Sequence, residues 1–217
     1  MRTSGERGFS MVEVAVVVAL MMIVLAMAVY SIGTSLPNYK VDIAMNSVYS
    51  TLRLARQMAI SQRRNIQVQF STSDSTNTGE IVLTQLAPNA GFGGPVAMGN
   101  YPWEGGATFH NFGVGDTPMQ FCAGMGGNCT CGGSDAVCFN GIAGGPATME
   151  FTPTGAFIDG TTLGVNPTTA INGTIYLGIL PTGASPSQWS HTARAVTVLG
   201  ATGRVRQYRW DGANWQE

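Results

Sequence analysis

The chain begins with a long apolar pattern that predicts a single continuous helix. Residues 14–39 contain no charged side chain, and the apolar core of this run is close to the ~20 residues that cross a bilayer. Apolar residues then recur three and four positions apart, as in an amphipathic helix, at Val41, Ala44, Met45, Val48, Leu52, Ala55 and Ala59. We therefore predict one helix over residues 9–64, with a transmembrane part at about residues 14–35.

A cleaved secretory signal is the alternative interpretation of the same apolar run. Residues 14–25 would form its apolar region, and Ala26, Met27 and Ala28 would form its small-residue cleavage site. The helical pattern continues beyond Ala28, which favours the continuous helix. Gly33 and Pro37 are then expected to kink or locally melt this helix instead of ending it.

After Arg64 the apolar period changes from helical to strand-like. Ile66, Val68 and Phe70 alternate with polar residues. Further strand-like runs, separated by turn clusters, occur at EIVLTQL, ATFHNF, TMEFT, GTIYLGIL, RAVTVLG and RVRQYRW. The predicted fold class is α+β, with the long N-terminal helix packed on an antiparallel β head over residues 65–217. A Gly- and Cys-rich insertion occupies about residues 91–145 of this head.

The charges of the chain are unevenly distributed along it. The formal net charge is only −1, yet the stretch between Ser71 and Ala193 has seven acidic residues and no Lys or Arg. The basic residues flank this stretch, at Lys40, Arg53, Arg56, Arg63 and Arg64 before it and at Arg194, Arg204, Arg206 and Arg209 after it. This distribution excludes a uniformly basic nucleic-acid-binding protein, and any surface for an anionic partner must lie in the flanks.

The residues ahead of the apolar run carry a processing motif. Arg2 and Arg7 precede the run, and the positive-inside rule keeps them in the cytoplasm while the remainder is exported. The sequence RGFSMVE, from Arg7 to Glu13, resembles the type III signal of type IV prepilins and pseudopilins. This resemblance implies that a prepilin peptidase removes the leader, residues 1–8, after Gly8. It further implies that the new amine of Phe9 is methylated.

The resemblance also gives Glu13 a role in assembly. A carboxylate at the start of a membrane segment is costly unless it is paired or protonated. In a helical filament Glu13 would meet the Phe9 ammonium of a neighbouring subunit, and the pair would set the register. The resemblance implies a single-pass anchor in the inner membrane, a periplasmic head, and later incorporation into a pilus or pseudopilus.

Three further segments resemble the GspH/FimT family of minor pilins and pseudopilins. They are LRLARQMAISQRRNIQVQF, an F-x-P-x-G formed by Phe151, Pro153 and Gly155, and TVLGATGRVR. The resemblance covers roughly residues 5–70 and 145–210 and leaves the insertion out. It implies a structural subunit that acts in filament assembly or protein secretion, with other pilins, the prepilin peptidase and the inner membrane as partners.

Four cysteines lie in the insertion with symmetric spacing, at Cys122, Cys129, Cys131 and Cys138. In an exported head we expect two disulfides. A bond between Cys129 and Cys131 is disfavoured by geometry because one residue separates them. Two pairings remain: Cys122–Cys129 with Cys131–Cys138, which we favour, or Cys122–Cys131 with Cys129–Cys138. A four-thiolate zinc site is the alternative, although the usual CxxC spacing is absent.

The last strand-like run carries three arginines that suggest a nucleic-acid-binding surface. Arg204 and Arg206 should project from one strand face and Val205 from the other, with Arg209 just beyond. Such a strand is a plausible platform for DNA phosphates. The FimT-like resemblance adds that a C-terminal G-R-x-R is a proposed DNA-binding element of pilins implicated in DNA uptake. The alternative is a solvated strand face whose arginines balance the acidic middle.

No catalytic motif is evident in the sequence. The two histidines, His110 and His191, belong to no metalloprotease, serine-hydrolase or phosphate-loop signature. We predict a non-enzyme without cofactor or metal. The sequence leaves open whether the subunit serves a secretion system or a pilus, whether it binds DNA, and whether the insertion makes it a tip adhesin.

Overall fold

The structure, a computed structural model, describes residues 10–72, 79–87, 94–103, 106–114, 136–139, 142–143, 149–160 and 170–217. Side chains at 28–34, 72 and 142–143 are not among the described groups. The chain divides into two compact units, Met1–Pro37 and Asn38–Glu217. The first helix runs through the boundary, so its C-terminal part belongs to the same unit as the strands.

Helix α1 spans Met11–Gln62 and continues through Pro37, as the apolar pattern predicts. It ends where Arg63 adopts a left-handed conformation with a φ of 54°. The next backbone N–H, that of Arg64, donates to the carbonyl of Ala59 at 3.2 Å, which satisfies one of the orphan carbonyls at the helix end. Within the described residues, no helix qualifies by length and hydropathy as a membrane-spanning segment.

The described strands pair antiparallel throughout. They are β1 Ile66–Thr72, β2 Gly79–Gln85, β3 Val96–Pro102, β4 Thr108–Phe109, β5 Val137–Phe139, β6 Ile142–Ala143, β7 Met149–Phe151, β8 Phe157–Asp159, β9 Gly173–Gly178, β10 Arg194–Leu199, β11 Arg204–Trp210 and β12 Trp215–Gln216. A short helix, α2 Pro186–Trp189, and a 3-10 turn at Ser190–Thr192 connect β9 to β10.

These strands form two sheets. The first has the order β3-β2-β1-β7-β8, and the second has the order β12-β11-β10-β9-β5-β6, with β4 also paired to β9. In the second sheet, β10 lies between β9 and β11, paired with β9 over residues 194–198 and with β11 over residues 194–199. The α+β fold class predicted from the sequence is confirmed.

The core of the second unit is built on the apolar stripe of α1. The side chains of Val41, Ala44, Val48, Leu52, Ala55 and Ala59 are fully buried. They join one cluster with residues of both sheets, including Val68, Phe151, Val196, Val198 and Val205. Since burying one Val or Leu side chain contributes roughly 1.5–3 kcal/mol, this stripe is a major source of the stability of the second unit.

The strand pattern was only partly predicted. The run ATFHNF yields only the two residues of β4, and β3, β5, β6, β8 and β12 were not predicted from the sequence. Strand β3, VAMGNYP, contains Gly99 and Pro102, which weaken a strand pattern. It lies at the edge of its sheet, where the backbone groups on one side of the strand need no hydrogen-bond partners in a neighbouring strand.

Candidate functional site

The N-terminal processing motif is described only from Ser10 onward. Gly8 and Phe9 lie outside the described residues, so their roles stay predictions. Glu13 lies in the first turn of α1, and its backbone N–H donates to the carbonyl of Ser10 at 2.9 Å. A carboxylate in this turn is stabilised by the positive end of the helix dipole. Among the described residues, Glu13 has no ion-pair partner.

The helix surface that follows Glu13 is apolar and exposed. Every side chain from Met11 to Met27 is exposed in the isolated chain. Leu20, Met21 and Leu25 are each about 60% exposed, at 59%, 60% and 62%. An unbroken apolar surface of this kind is unfavourable in water, which indicates that another apolar medium or molecule covers it.

Of the four cysteines, only Cys138 is described. It lies on β5, is nearly buried, and is disulfide-bonded. Cys122, Cys129 and Cys131 lie outside the described residues, so the choice between the two pairings stays a prediction. Peptide mapping under non-reducing conditions would distinguish them.

Arg209 faces α1, on the opposite side of β11 from Arg204 and Arg206. Its Nη2 lies 2.6 Å from Oδ2 of Asp42. The other oxygen of Asp42, Oδ1, lies 2.6 Å from Nε of Arg194, which stands opposite Arg209 on β10. One carboxylate on the helix thus pairs with two guanidinium groups on the second sheet.

Arg194 is the buried centre of this network. Its side chain is 2% exposed, and its Nη1 donates to the carbonyls of His191 at 3.1 Å and Ala193 at 3.0 Å. Burial lowers the pKa of Arg194, and the hydrogen bond and charge of Asp42 oppose that shift. A buried charge is tolerable only with such partners, so this network has a structural role. We call Asp42, Arg194 and Arg209 the paired cluster.

Arg206 also has a carboxylate partner. Its Nη1 lies 3.0 Å from Oε2 of Glu217, in an exposed pair at the end of the chain. A hydrogen bond with Tyr208 and the charge of Glu217 raise the pKa of the Arg206 guanidinium. An exposed pair of this kind is weak and is screened by salt. Arg206 is therefore only loosely held.

Arg204 lies in a different setting, in a surface groove of about 480 Å³ between α1 and the start of β11. The helix contributes Tyr49, Arg53, Arg56 and Gln57 to the groove, and the β10–β11 turn contributes Gly203 next to Arg204. Within the described part of the chain, no ion pair involves Arg53, Arg56 or Arg204. We call this feature the guanidinium groove.

Two glycines fix the wall of the guanidinium groove. Gly203 has a φ of +60° and Gly155 a φ of +83°, in the left-handed region that glycine adopts readily. A Cβ on Gly203 would clash with the carbonyl oxygen of Gly155. That same oxygen accepts a hydrogen bond from Nε of Arg56 at 3.2 Å. The F-x-P-x-G turn, the Gly-Arg turn and α1 therefore meet at one point, and the groove forms there.

The residues that complete the paired cluster and the guanidinium groove were not predicted from the sequence. Arg53 and Arg56 are three positions apart and Tyr49 precedes Arg53 by four, so helical spacing could have grouped them on one face. The residues that lie opposite that face could be identified only from the fold. For Arg194 there was no local signal, because Asp42 is 152 residues away in the sequence.

The two histidines lie in different settings, and the backbone carbonyl of His191 accepts a hydrogen bond from Arg194 of the paired cluster. His110 follows β4 and packs against Phe112, with ring centroids 4.4 Å apart. Burial lowers the pKa of His110. His191 is exposed in the 3-10 turn. Among the described residues, no group of His, Cys, Asp or Glu side chains is arranged to hold a metal ion.

The N-terminal motif of the chain matches a known protein family. Residues 3–29 match the family profile described as the prokaryotic N-terminal methylation motif. No curated protein sequence matches the chain.

Two kinds of solved structure are similar to the chain. The type IV minor pilin FimU of Pseudomonas aeruginosa is 12% identical, with a TM-score of 0.38 over 82% of this chain and 94% of that chain. The minor pseudopilin EpsH of the type II secretion system of Vibrio cholerae is 15% identical, with a TM-score of 0.36 over 83% of this chain and 97% of that chain. Because both TM-scores are low, the fold class rests on the element order and sheet topology of this chain. The chain thus carries the N-terminal methylation motif of prokaryotic prepilins, followed by an α+β fold.

Proposed function

We propose that the protein is a pilin-type filament subunit, a minor pilin or type II secretion pseudopilin of the GspH/FimT kind. Its role is structural and not enzymatic. The methylation motif over residues 3–29 carries this proposal. The exposed apolar surface from Met11 to Met27 supports it, because a bilayer, and later the neighbouring helices of a filament, would cover that surface. The partners are other pilins, the prepilin peptidase and the inner membrane, with the head on the periplasmic side.

Mass spectrometry of the protein extracted from membranes tests the processing step. The expected mature chain begins at Phe9 and carries an N-methyl group on that residue. Substitution of Gly8 by Ala should abolish the cleavage, while Gly5→Ala, three residues earlier in the leader, should leave it intact. A mature chain that begins at Val29 would instead support an ordinary secretory signal and overturn the proposal.

Glu13 provides a test of assembly. Glu13→Gln keeps the shape of the side chain and removes its charge, so it should lower incorporation into filaments without changing the thermal midpoint of the folded head. Ser10→Ala, one turn earlier at the helix start, is the matched control. Immunoblotting of sheared filaments measures incorporation. Normal incorporation of the Gln variant would contradict the pairing of Glu13 with a neighbouring Phe9 amine.

DNA binding at the C-terminal arginines is the second candidate function. The observation that favours it is the position of Arg204, which is exposed and has no carboxylate within ion-pair distance among the described residues. The candidate site comprises Arg204, Arg206 and Arg209, of which the last two have carboxylate partners. Weak, salt-sensitive binding of DNA by the purified full-length protein would support this function. An absence of binding at low ionic strength would exclude it.

The tip-adhesin alternative depends on the insertion at residues 91–145. Most of that insertion lies outside the described residues. No observation in the described ranges favours this alternative.

A further inference from the structure

The segment between β9 and β10 is held at the first residue of the second unit. That unit begins at Asn38, and Nη2 of Arg194 lies 3.5 Å from Oδ1 of Asn38. Nη1 of Arg194 donates to the carbonyl of His191 at 3.1 Å, and the ring of His191 lies 5.8 Å from the ring of Trp189. These contacts place Trp189 and His191 at the end of the unit from which the chain continues into the apolar part of α1.

This segment is uncharged, and its position is fixed. Residues 179–193 contain no Asp, Glu, Lys or Arg. His191 is exposed and Trp189 is half-buried. The Thr192 hydroxyl accepts a hydrogen bond from the N–H of Ile179 at 3.3 Å and donates one to the carbonyl of Trp189 at 2.7 Å. An indole presented by such a segment suits the boundary between hydrocarbon and water, where tryptophan is enriched.

The turn of α1 at the same end adds a second aromatic ring and a cation. Tyr39 is 65% exposed, and Lys40 is exposed. Both lie between Asn38 and Asp42, the two helix residues that Arg194 contacts. Tyrosine is enriched in the same region of a bilayer as tryptophan, and the long side chain of a lysine can reach lipid headgroups. We call the following residues the anchor-proximal surface: Tyr39, Lys40, Trp189 and His191.

We infer that the anchor-proximal surface docks on the headgroup region of the bilayer that holds the apolar helix. The inference rests on the proposed function, in which about residues 14–35 form the anchor. Asn38 follows residue 35 by three positions, which is roughly 4.5 Å along a helix at ~1.5 Å per residue. The headgroup region of each leaflet is about 5–8 Å thick, so Asn38 and the side chains at its level fall within it. Such docking orients the head on the membrane before the subunit enters a filament.

The charges at this end allow contact with lipid headgroups of either kind, zwitterionic or anionic. Lys40, Arg194 and Arg209 are cations, and the two arginines share the Asp42 carboxylate. Asp211, in the turn after β11, is an exposed carboxylate that opposes them. Three cations against two carboxylates leave a small positive excess. Docking therefore depends mainly on the two aromatic rings and gains modestly from anionic lipid.

Tryptophan fluorescence of the full-length protein in phospholipid vesicles tests this docking. All four tryptophans belong to the second unit, so the anchor contributes no tryptophan emission. The vesicles contain phosphatidylcholine and phosphatidylglycerol, with a nitroxide quencher either on the headgroup or deep in the acyl chain. Flotation of the vesicles first confirms that the protein is inserted. Circular dichroism confirms that each variant is folded.

We expect the headgroup quencher to remove about a quarter of the emission, from one tryptophan in four, and the acyl-chain quencher to remove less. Trp189→Phe should abolish this quenching, because the variant lacks the indole that contacts the headgroups. Trp215→Phe is the matched control. The Nε1 atom of Trp215 is buried in the fold, so its replacement should leave the quenched amplitude unchanged.

Lys40→Gln tests the contribution of the helix turn. A basic residue near an anionic membrane surface contributes about fivefold to the ratio of docked to undocked protein, so this variant should lower that ratio by about the same factor. Arg53→Gln is its matched control, because Arg53 is exposed on the same helix and lies roughly 20 Å further along it at ~1.5 Å per residue. That distance exceeds the screening length of salt, so the control should leave the ratio unchanged. Equal falls in the two variants would show a general charge effect and not a docking surface.

The other outcomes overturn the inference in distinguishable ways. An inserted protein whose tryptophans escape the headgroup quencher would place the head clear of the bilayer, while the filament role would stand. Quenching that survives in Trp189→Phe would assign the contact to another part of the head. Stronger quenching from the acyl chain would replace a docked surface with an inserted one. Failure of the vesicles to carry the protein on flotation would remove the anchor itself, and with it the proposed function.

Discussion

Two groups of arginines border the same helix, and they differ in what surrounds them. The paired cluster places Arg194 and Arg209 on either side of the Asp42 carboxylate, with the Arg194 side chain 2% exposed. The guanidinium groove places Arg53, Arg56 and Arg204 at the surface without a carboxylate partner among the described residues. The first group stabilises the docking of the second sheet on α1. In the second group, Arg56 bonds the carbonyl of Gly155, and Arg53 and Arg204 are exposed.

Residue type and strand position alone do not separate the two groups. Arg204 and Arg209 lie on the same strand, five positions apart. Odd spacing along a strand places them on opposite faces. Arg209 reaches Asp42 on α1, while Arg204, at the start of the strand, lies at the edge of the guanidinium groove. The positions of the counter-charges therefore distinguish an arginine that is paired within the fold from one that is not. Substitutions in each group test this distinction.

The largest effect is expected from Asp42→Ala. It leaves Arg194 buried without a carboxylate, and breaking a buried ion pair from one side typically costs about 3–5 kcal/mol. We expect the free energy of unfolding to fall by about 3 kcal/mol, near the lower end of that range, because the Asp42 side chain is 23% exposed. Urea unfolding followed by tryptophan fluorescence measures the free energy. Lys40→Ala on the same helix should change it by less than about 0.5 kcal/mol. A loss below about 1 kcal/mol for the Asp42 variant would contradict the structural role of the paired cluster.

The next effect concerns the turn that forms the wall of the guanidinium groove. Gly203→Ala combines a left-handed backbone with a clash against the Gly155 carbonyl, so it should cost about 2–3 kcal/mol. Gly183→Ala is the matched control, because Gly183 has a φ of +81° and its Cβ would meet nothing within 4 Å. The control should cost only about 1 kcal/mol. Equal losses of unfolding free energy in the two variants would show that the close approach of Gly203 to the Gly155 carbonyl adds nothing to the cost of the substitution.

The comparison is sharpest between two arginines of β11. Arg209→Gln removes one partner of Asp42, although the Arg209 side chain is 57% exposed. Solvent screening at this exposure limits the expected loss to about 0.5–1 kcal/mol. Arg204→Gln should lose less than about 0.5 kcal/mol while it weakens binding of an anion. Paired unfolding curves of the two variants measure the difference. Equal stability losses would remove the distinction between the two groups.

The smallest effect comes from a buried carboxylate whose hydrogen-bond partner, among the described residues, is neutral. Glu150 on β7 is 5% exposed, and its Oε1 accepts a hydrogen bond from Asn65 at 2.9 Å. Burial raises the pKa of Glu150, the Asn65 hydrogen bond opposes that shift, and the charge of Asp159 adds to it.

A raised pKa in the folded state means that the folded protein binds this proton more tightly than the unfolded chain does. Stability should therefore decline as the pH rises from the ordinary pKa of a glutamate through the raised one. Glu150→Gln removes the titration and should flatten that part of the pH–stability profile, with a small gain in thermal midpoint at neutral pH. An unchanged profile would contradict the raised pKa.

Part of the fold could be predicted from local pattern alone. Strands β1, β2, β9, β10 and β11, and the three-residue β7 within the run TMEFT, were predicted because their residues form recognisable strand-like runs. The amphipathic half of α1 was predicted for the same reason. Strands β5, β6, β8 and β12 have two or three residues each, too few for a repeat to be recognised.

The candidate site was predicted less well because it depends on contacts between distant residues. Arg204 and Arg206 were correctly assigned to one strand face, with Val205 on the other, buried face. The partner of Arg209 could not be foreseen, since Asp42 is 167 residues earlier. The glycines of the two turns were recognised as motifs, but their contact near Arg56 follows only from the packing of both turns against α1.

The pairing of Asp42 with the last two long strands also constrains the order of folding. During synthesis α1 emerges first, and Arg194 follows Asp42 by 152 residues. At ~5–20 residues per second the ribosome needs roughly 8–30 s to make that intervening stretch. Until then the apolar stripe of α1 lacks the side chains of β10 and β11 that complete its cover. Folding of this unit is therefore completed only after β10 and β11 have been made.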